Sequence, residues 1–213
     1  MEVTWTMARG ERPYHHGDLR TALIDAGLEL AREGGADALG LRVVTRAVGV
    51  TPNAAYRHFA DRETLVLAIA ERAQDKLARS MLDHMDTDAT DADPVDRAVH
   101  NLRGVGLGYI RFALSEPGWF ELAILTDDSA SGREPVEERV PPPFRLLLQA
   151  LDDMVTAGAL KPERRPNAEW VCWSSVHGFA DLATRGPLRG HDRATMDALG
   201  HHVVVQVVDS LTA

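Results

Sequence analysis

Between Leu41 and Ala60 the chain gathers side chains that can bond phosphate oxygens and base edges. Asn53 carries an amide able to pair with either, and Ala54 and Thr51 beside it have the size to read base edges. Tyr56, His58 and Arg62 are donors suited to phosphate oxygens, and Arg57 lies among them. Arg42, eleven residues ahead of Asn53, can reach the flanking backbone. Arg9 to Arg12, nearer the N-terminus, form a short basic arm that could enter a minor groove. This chemistry is recognition of a duplex, with phosphate contacts for position and a few contacts for sequence.

A second set of residues suits an enclosed apolar site. It comprises Tyr109, Phe112, Trp119, Phe120 and Ile124, then Phe144, Leu147, Leu151 and Met154, and finally Trp170, Trp173 and His177. Each is equally explained as ordinary core. Gly104, Gly106 and Gly108 interrupt the same region, and in a helix each costs about 1 kcal/mol relative to Ala. They predict close helix approach, a kink, or space for a ligand. Their spacing is not GxGxxG and no strand precedes them, so a dinucleotide loop is excluded. His177 with Asp181 one turn later could form an acid–base pair, but no nucleophile, phosphate loop or metal cluster accompanies it. His15-His16 and His201-His202 are too isolated to argue for a metal, and nothing implies a cofactor. Cys172 is the single cysteine, so no internal disulfide can form.

The elements that must position these groups have helical spacing throughout. Leu19, Ala22, Leu23, Ala26 and Leu30 form one stripe, with Asp18 as N-cap and Gly34-Gly35 as the stop. Leu41 to Val48 is a short second helix, with Val44 and Val48 facing inward. Gly49 falls where a tight turn needs positive φ. Thr51 then caps, and Pro52 opens, a third helix expected to run to Phe59. Two short helices crossing over such a turn make a helix-turn-helix over 41–60. Asp61 caps a longer helix carrying Leu65, Ile69, Ala73 and Leu77. Five Asp in residues 83–93 mark a linker. Further helices follow from Pro94, over Trp119 to Leu125, over Phe144 to Val155, over 167–185 and over 194–211, with a charged, Pro-rich loop at 127–143. Val203 to Val208 has strand propensity, but no partner strand is visible, so helix is retained. The expected fold is all-α, about nine helices, with a DNA-binding head at 14–78 and a ligand-binding and dimerisation body at 94–213.

The formal charge of -9 is the wrong sign for a partner made of phosphates. Its distribution matters more. Residues 1–60 hold seven Arg and seven acidic residues; the rest hold 16 basic and 25 acidic residues and carry the whole deficit. An acidic body would be repelled by phosphate, leaving the neutral head to touch it. The charge keeps one alternative open, a helical small-molecule-binding protein without DNA binding. The composition, 45% hydrophobic and 26% charged, is ordinary for a soluble chain, and no apolar run reaches membrane-spanning length. Without a signal-peptide pattern in Met1 to Gly10, a cytoplasmic location is expected.

The run Tyr14-His15-His16-Gly17-Asp18-Leu19-Arg20 resembles the opening of the tetracycline-repressor (TetR/AcrR) family. So do Gly49-Val50-Thr51-Pro52 through Tyr56-Arg57-His58-Phe59, and Asp61-Arg62-Glu63-Thr64-Leu65. The resemblance implies a three-helix DNA head, a divergent helical ligand-binding body and a homodimer. Trp173 with His177-Gly178 is similar to a subset named for a Trp-His-Gly motif. Thr45, Val48 and Ala54 depart from the family pattern, where Ala, Ala and Thr are usual. Thr45 must be accommodated, for example by a bond back to the preceding turn. The resemblance implies a regulator, most simply a repressor, that holds a palindromic operator as a dimer and is released by a small apolar ligand. The dimer would form through the last two helices, whose apolar stripes have a/d-like spacing.

Overall fold

The computed structural model describes residues 19–85, 93–124 and 140–212. The Asp18 cap, the Arg9–Arg12 arm, most of the 83–93 linker and most of the 127–143 loop lie outside them. Among the described residues there are nine α-helices and no strand. None of these helices is long and apolar enough to cross a membrane.

Helix α1 (Leu19–Gly34) buries Leu23, Ile24, Leu28 and Ala31, one face at helical spacing. Gly35, at φ +57°, turns the chain into a short 3-10 segment. Helix α2 (Leu41–Val48) ends at Gly49, whose φ of 77° is the left-handed turn the sequence requires. Gly49 N donates to Arg46 O and Val50 N to Thr45 O, the paired bonds that close a helix C-terminus. Buried Thr45 bonds back to Arg42 O at 3.2 Å, the accommodation its hydroxyl needed.

Helix α3 (Pro52–Ala55) is shorter than the Pro52–Phe59 helix expected. Past Ala55 the chain tightens. His58 N and Phe59 N both bond Ala55 O, and this turn swings Phe59 into the core. Thr51 has the extended backbone of an N-cap, but its side chain makes no capping bond. Asp61 does cap α4 (Arg62–Leu82), accepting from Thr64 N at 2.8 Å. These hydrogen bonds hold the Asp61 carboxyl below the usual range.

Helix α4 runs out of the head and into the body. Its first half packs on α1, where Gly27 receives the Ile69 side chain so closely that a Cβ would meet it. Its second half packs on α5 (Pro94–Ser115), α6 (Pro117–Ala123) and α7 (Pro142–Thr156). Asp93 caps α5 through Val95 N, and Pro94 stands at its first turn. Helices α8 (Ala168–Thr184) and α9 (Arg193–Thr212) pack on each other and on α5. Val203 to Val208 is helical, as patterning rather than strand propensity predicted.

The three glycines of α5 serve close helix approach. A Cβ on Gly104 would strike the His84 carbonyl, and one on Gly108 would lie 2.5 Å from both Met81 Cα and Ser80 O. Gly106 instead faces Val204 of α9. Ser80 Oγ donates to Gly108 O at 2.9 Å, joining the two backbones where they touch.

Candidate functional site

The acid-free stretch between Asp37 and Asp61 contains Arg42, Arg46, Arg57 and His58. Folding places Arg42, Arg46, Thr51, Asn53, Tyr56 and Arg57 at the surface of one small head, with Ala54 and His58 half-buried. Tyr56 is 55% exposed although large and aromatic, whereas Phe59 three residues on is 1% exposed. The turn after α3 separates these two rings, sending one outward and one to the core. Among the described residues no carboxylate pairs with Arg42, Arg46 or Arg57. This face therefore presents uncompensated positive charge and hydrogen-bond donors around α3, the arrangement that phosphate oxygens attract. Arg46 was missed in the sequence, although it lies one helical turn from Arg42 and shares its side.

Arg62 departs from its expected role. Its Nε donates to Leu39 O and an Nη to Ala36 O at 2.8 Å. The guanidinium closes the connection between α1 and α2, so Arg62 positions the head with two of its donors while its charge stays unpaired by any carboxylate among the described residues.

In the body a small cavity is lined by Tyr109, Leu147 and Trp173 of the expected set. Met81, Leu102, Val176 and Val204 add an apolar lining beside the Cys172 thiol. These residues were missed because aliphatic side chains carry no chemical signal. Their only cue was sharing a stripe with Tyr109 or Trp173, as Leu102 and Val176 do. The free volume is about 20 Å³, room for about one water. Burial pushes the Cys172 thiol up to about 11, with nearby Glu169 adding to the effect.

An aromatic cluster adjoins the cavity. Tyr109 meets Phe120 and Trp173 edge-on at 5.4 and 5.2 Å, and Phe144 stands 5.3 Å from both Trp170 and Trp173. His177 lies near Tyr109, Phe120 and Trp173, and its Nδ1 is 2.8 Å from the Tyr109 hydroxyl. Burial raises the Tyr109 pKa, so the phenol stays protonated. In the neutral imidazole the His177 tautomer sets which of the two groups donates. Burial, partly opposed by Asp181, lowers its pKa and favours that form. The pairing of His177 with Asp181 weighed in the sequence does not form a hydrogen-bonded unit: Asp181 accepts from Arg185 Nε at 2.8 Å.

Other members of the expected pocket lie elsewhere. Leu151 and Met154 are fully buried core. Ile124 is half-buried against that core, and Trp170 is largely exposed. Phe112 and Trp119 line a separate open groove, not the cavity. Trp119 Nε1 donates to Leu28 O of α1 at 2.6 Å, because its position at the first turn of α6 faces the head. Arg32 and Lys76 stand over its ring at 5.0 and 4.6 Å, and Arg32 grips Glu116 through two bonds of 2.6 and 2.7 Å. A Cβ on Gly118 would strike the Ala31 and Arg32 carbonyls, so the α1–α6 contact is backbone-close.

Residues 23–69 match the family model described as bacterial regulatory proteins, tetR family. Residues 102–207 match the model for a tetracyclin repressor-like C-terminal domain. A solved protein of unknown function from Rhodococcus sp. RHA1 superposes with a TM-score of 0.72 at 25% identity, over 95% of this chain and 100% of its own. A TetR family transcription regulator from Marinobacter aquaeolei VT8 gives 0.60 at 21% identity, over 90% and 95%. A TetR variant from Acinetobacter baumannii AYE in complex with minocycline gives 0.57 at 20%, over 90% and 96%. No curated protein matches the chain in sequence. With its exposed basic helix-turn-helix and the helical body behind it, the chain belongs to the TetR family of DNA-binding transcriptional regulators.

Proposed function

We infer that this regulator is a repressor that holds a palindromic operator as a homodimer and leaves it when a small apolar ligand enters the body. The observation that carries this reading is the acid-free basic face around α3, joined through α4 and α6 to an apolar cavity. Asn53, Ala54 and Thr51 would read bases, while Tyr56, Arg57, His58 and Arg42 would hold phosphates. The head would comprise residues 14–78 and the body 94–213, working in the cytoplasm where the operator lies. The solved relative in complex with minocycline supports a body that accepts a small molecule.

The cavity of about 20 Å³ is far below the roughly 300 Å³ or more that ligand sites usually offer. An effector must therefore part α5, α8 and α9 as it enters. Backbone contact at Gly104 and Gly108 would pass that movement to α4, and the Tyr109–Phe120 contact would pass it to α6. A coupling of about 1–3 kcal/mol would weaken operator binding by about 5- to 150-fold.

Exposed Val171, Leu182 and Leu199 on α8 and α9 leave apolar surface that a second copy would cover. Two copies would set the reading helices about one DNA turn, roughly 34 Å, apart. Selection of bound duplexes from a random pool tests the reading. Enrichment of an inverted repeat with that spacing is expected, with affinity falling steeply as salt rises. A pool that stays unenriched at low salt overturns it.

A further inference from the structure

The outer groove between head and body has features that the inner cavity lacks. It is an open groove of about 370 Å³, a volume comparable to small-molecule sites. Phe112 and Trp119 form its apolar floor, and Lys76, Arg79, His84 and Arg111 stand around it. Two carboxylates also border it, but both are already answered. Glu116 is held by Arg32, and Asp83 pairs with Arg79 at 3.0 Å. Among the described residues no carboxylate pairs with Lys76 or Arg111. Lys76 instead rests its ammonium over the Trp119 ring. Residues 61–213, which carry the entire -9 charge, thus hold a groove with two cations that no carboxylate among the described residues answers.

We propose that this groove is a second ligand site, taking a small organic anion whose carboxylate or phosphate sits on a planar apolar group. Arg111 offers a forked donor that matches either oxyanion, and Lys76 a point charge on the same groove. The apolar group meets the parts of Trp119 and Phe112 that line the groove. His84 Nδ1 is 2.7 Å from Ser80 O and donates to it, which ties that ring to the α4 backbone at the edge of the groove. A neutral apolar molecule gains nothing from Lys76 and Arg111 and is the occupant suited to the inner cavity.

Calorimetric titration of the full chain with 1-naphthyl phosphate, 1-naphthoate and neutral 1-naphthalenemethanol tests the site. At least one anion should bind saturably, and the tighter of the two identifies the preferred oxyanion. Lys76→Gln and Arg111→Gln are conservative changes at residues without a carboxylate partner, so folding is preserved. Each should weaken the anion by about fivefold, as expected for a partly exposed charge contact, and leave the neutral analogue unchanged. Saturable binding of neither anion, or affinities in both variants equal to the parent's, overturns the proposal.

Discussion

Replacing Gly108 with Ala tests whether α4 and α5 touch backbone to backbone. Considered alone, α5 should gain about 1 kcal/mol from the change, because Ala is the better helix former. The structure reverses that sign. The new Cβ would lie 2.5 Å from Met81 Cα and from Ser80 O, where carbon contacts prefer about 3.5–4.0 Å. The obstacle is helix backbone, which cannot rotate away as a side chain can. The two helices must part by about 1 Å, and overpacking of this kind costs about 1–3 kcal/mol. The 2.9 Å bond from Ser80 Oγ to Gly108 O goes with it, another loss of about 1 kcal/mol. Setting the propensity gain against these losses leaves a net destabilisation of about 1–3 kcal/mol. Urea unfolding followed by far-UV circular dichroism and tryptophan fluorescence would read this as a lower midpoint at unchanged slope. A variant as stable as the parent, or more stable, would refute the close approach.

Three further outcomes are expected. Asn53→Ala should alter preference at one base position, whereas Arg57→Gln should weaken all duplexes and reduce the salt slope by about 1, both read in binding titrations across salt. Because burial lowers the His177 pKa, the unfolded chain takes up its proton first as pH falls below 6.5. Stability should therefore decline with acidification through that region, and His177→Asn should flatten the decline in melts at stepped pH. Cys172, with its thiol pushed up to about 11, should resist a thiol reagent at pH 8 in the folded protein and react on unfolding; rapid native labelling would contradict its enclosure.

The fold was legible where local chemistry is emphatic. Asp61, Asp93-Pro94 and Gly49 each announce a helix boundary through one backbone requirement, and each boundary falls where that requirement places it. The end of α3 was not legible, because the Pro52–Phe59 pattern fits a helix equally well. Burying Phe59 while Tyr56 stays outside is a tertiary demand that periodicity does not carry. Around the cavity, residue type misled in a consistent direction. Trp119 and Phe112 attract attention as aromatics yet line another surface, and the cavity wall is largely Val, Leu and Met. Arg62 shows the same limit from the polar side. A guanidinium looks free in a sequence until the carbonyls of Leu39 and Ala36 are placed beside it. The α5 glycines stood for three alternatives, and only the path of α4 chooses among them.

Helix α4 makes 21 residues, about 30 Å, common property of two functional parts. Leu65 and Ile69 belong to the core of the head, while Met81 forms part of the cavity wall. No flexible joint separates sensing from reading along this route. An engineer who transplants the head onto another body must splice within a continuous rod and preserve its phase. One residue inserted there would rotate the two ends by about 100° relative to each other, enough to misalign both at once.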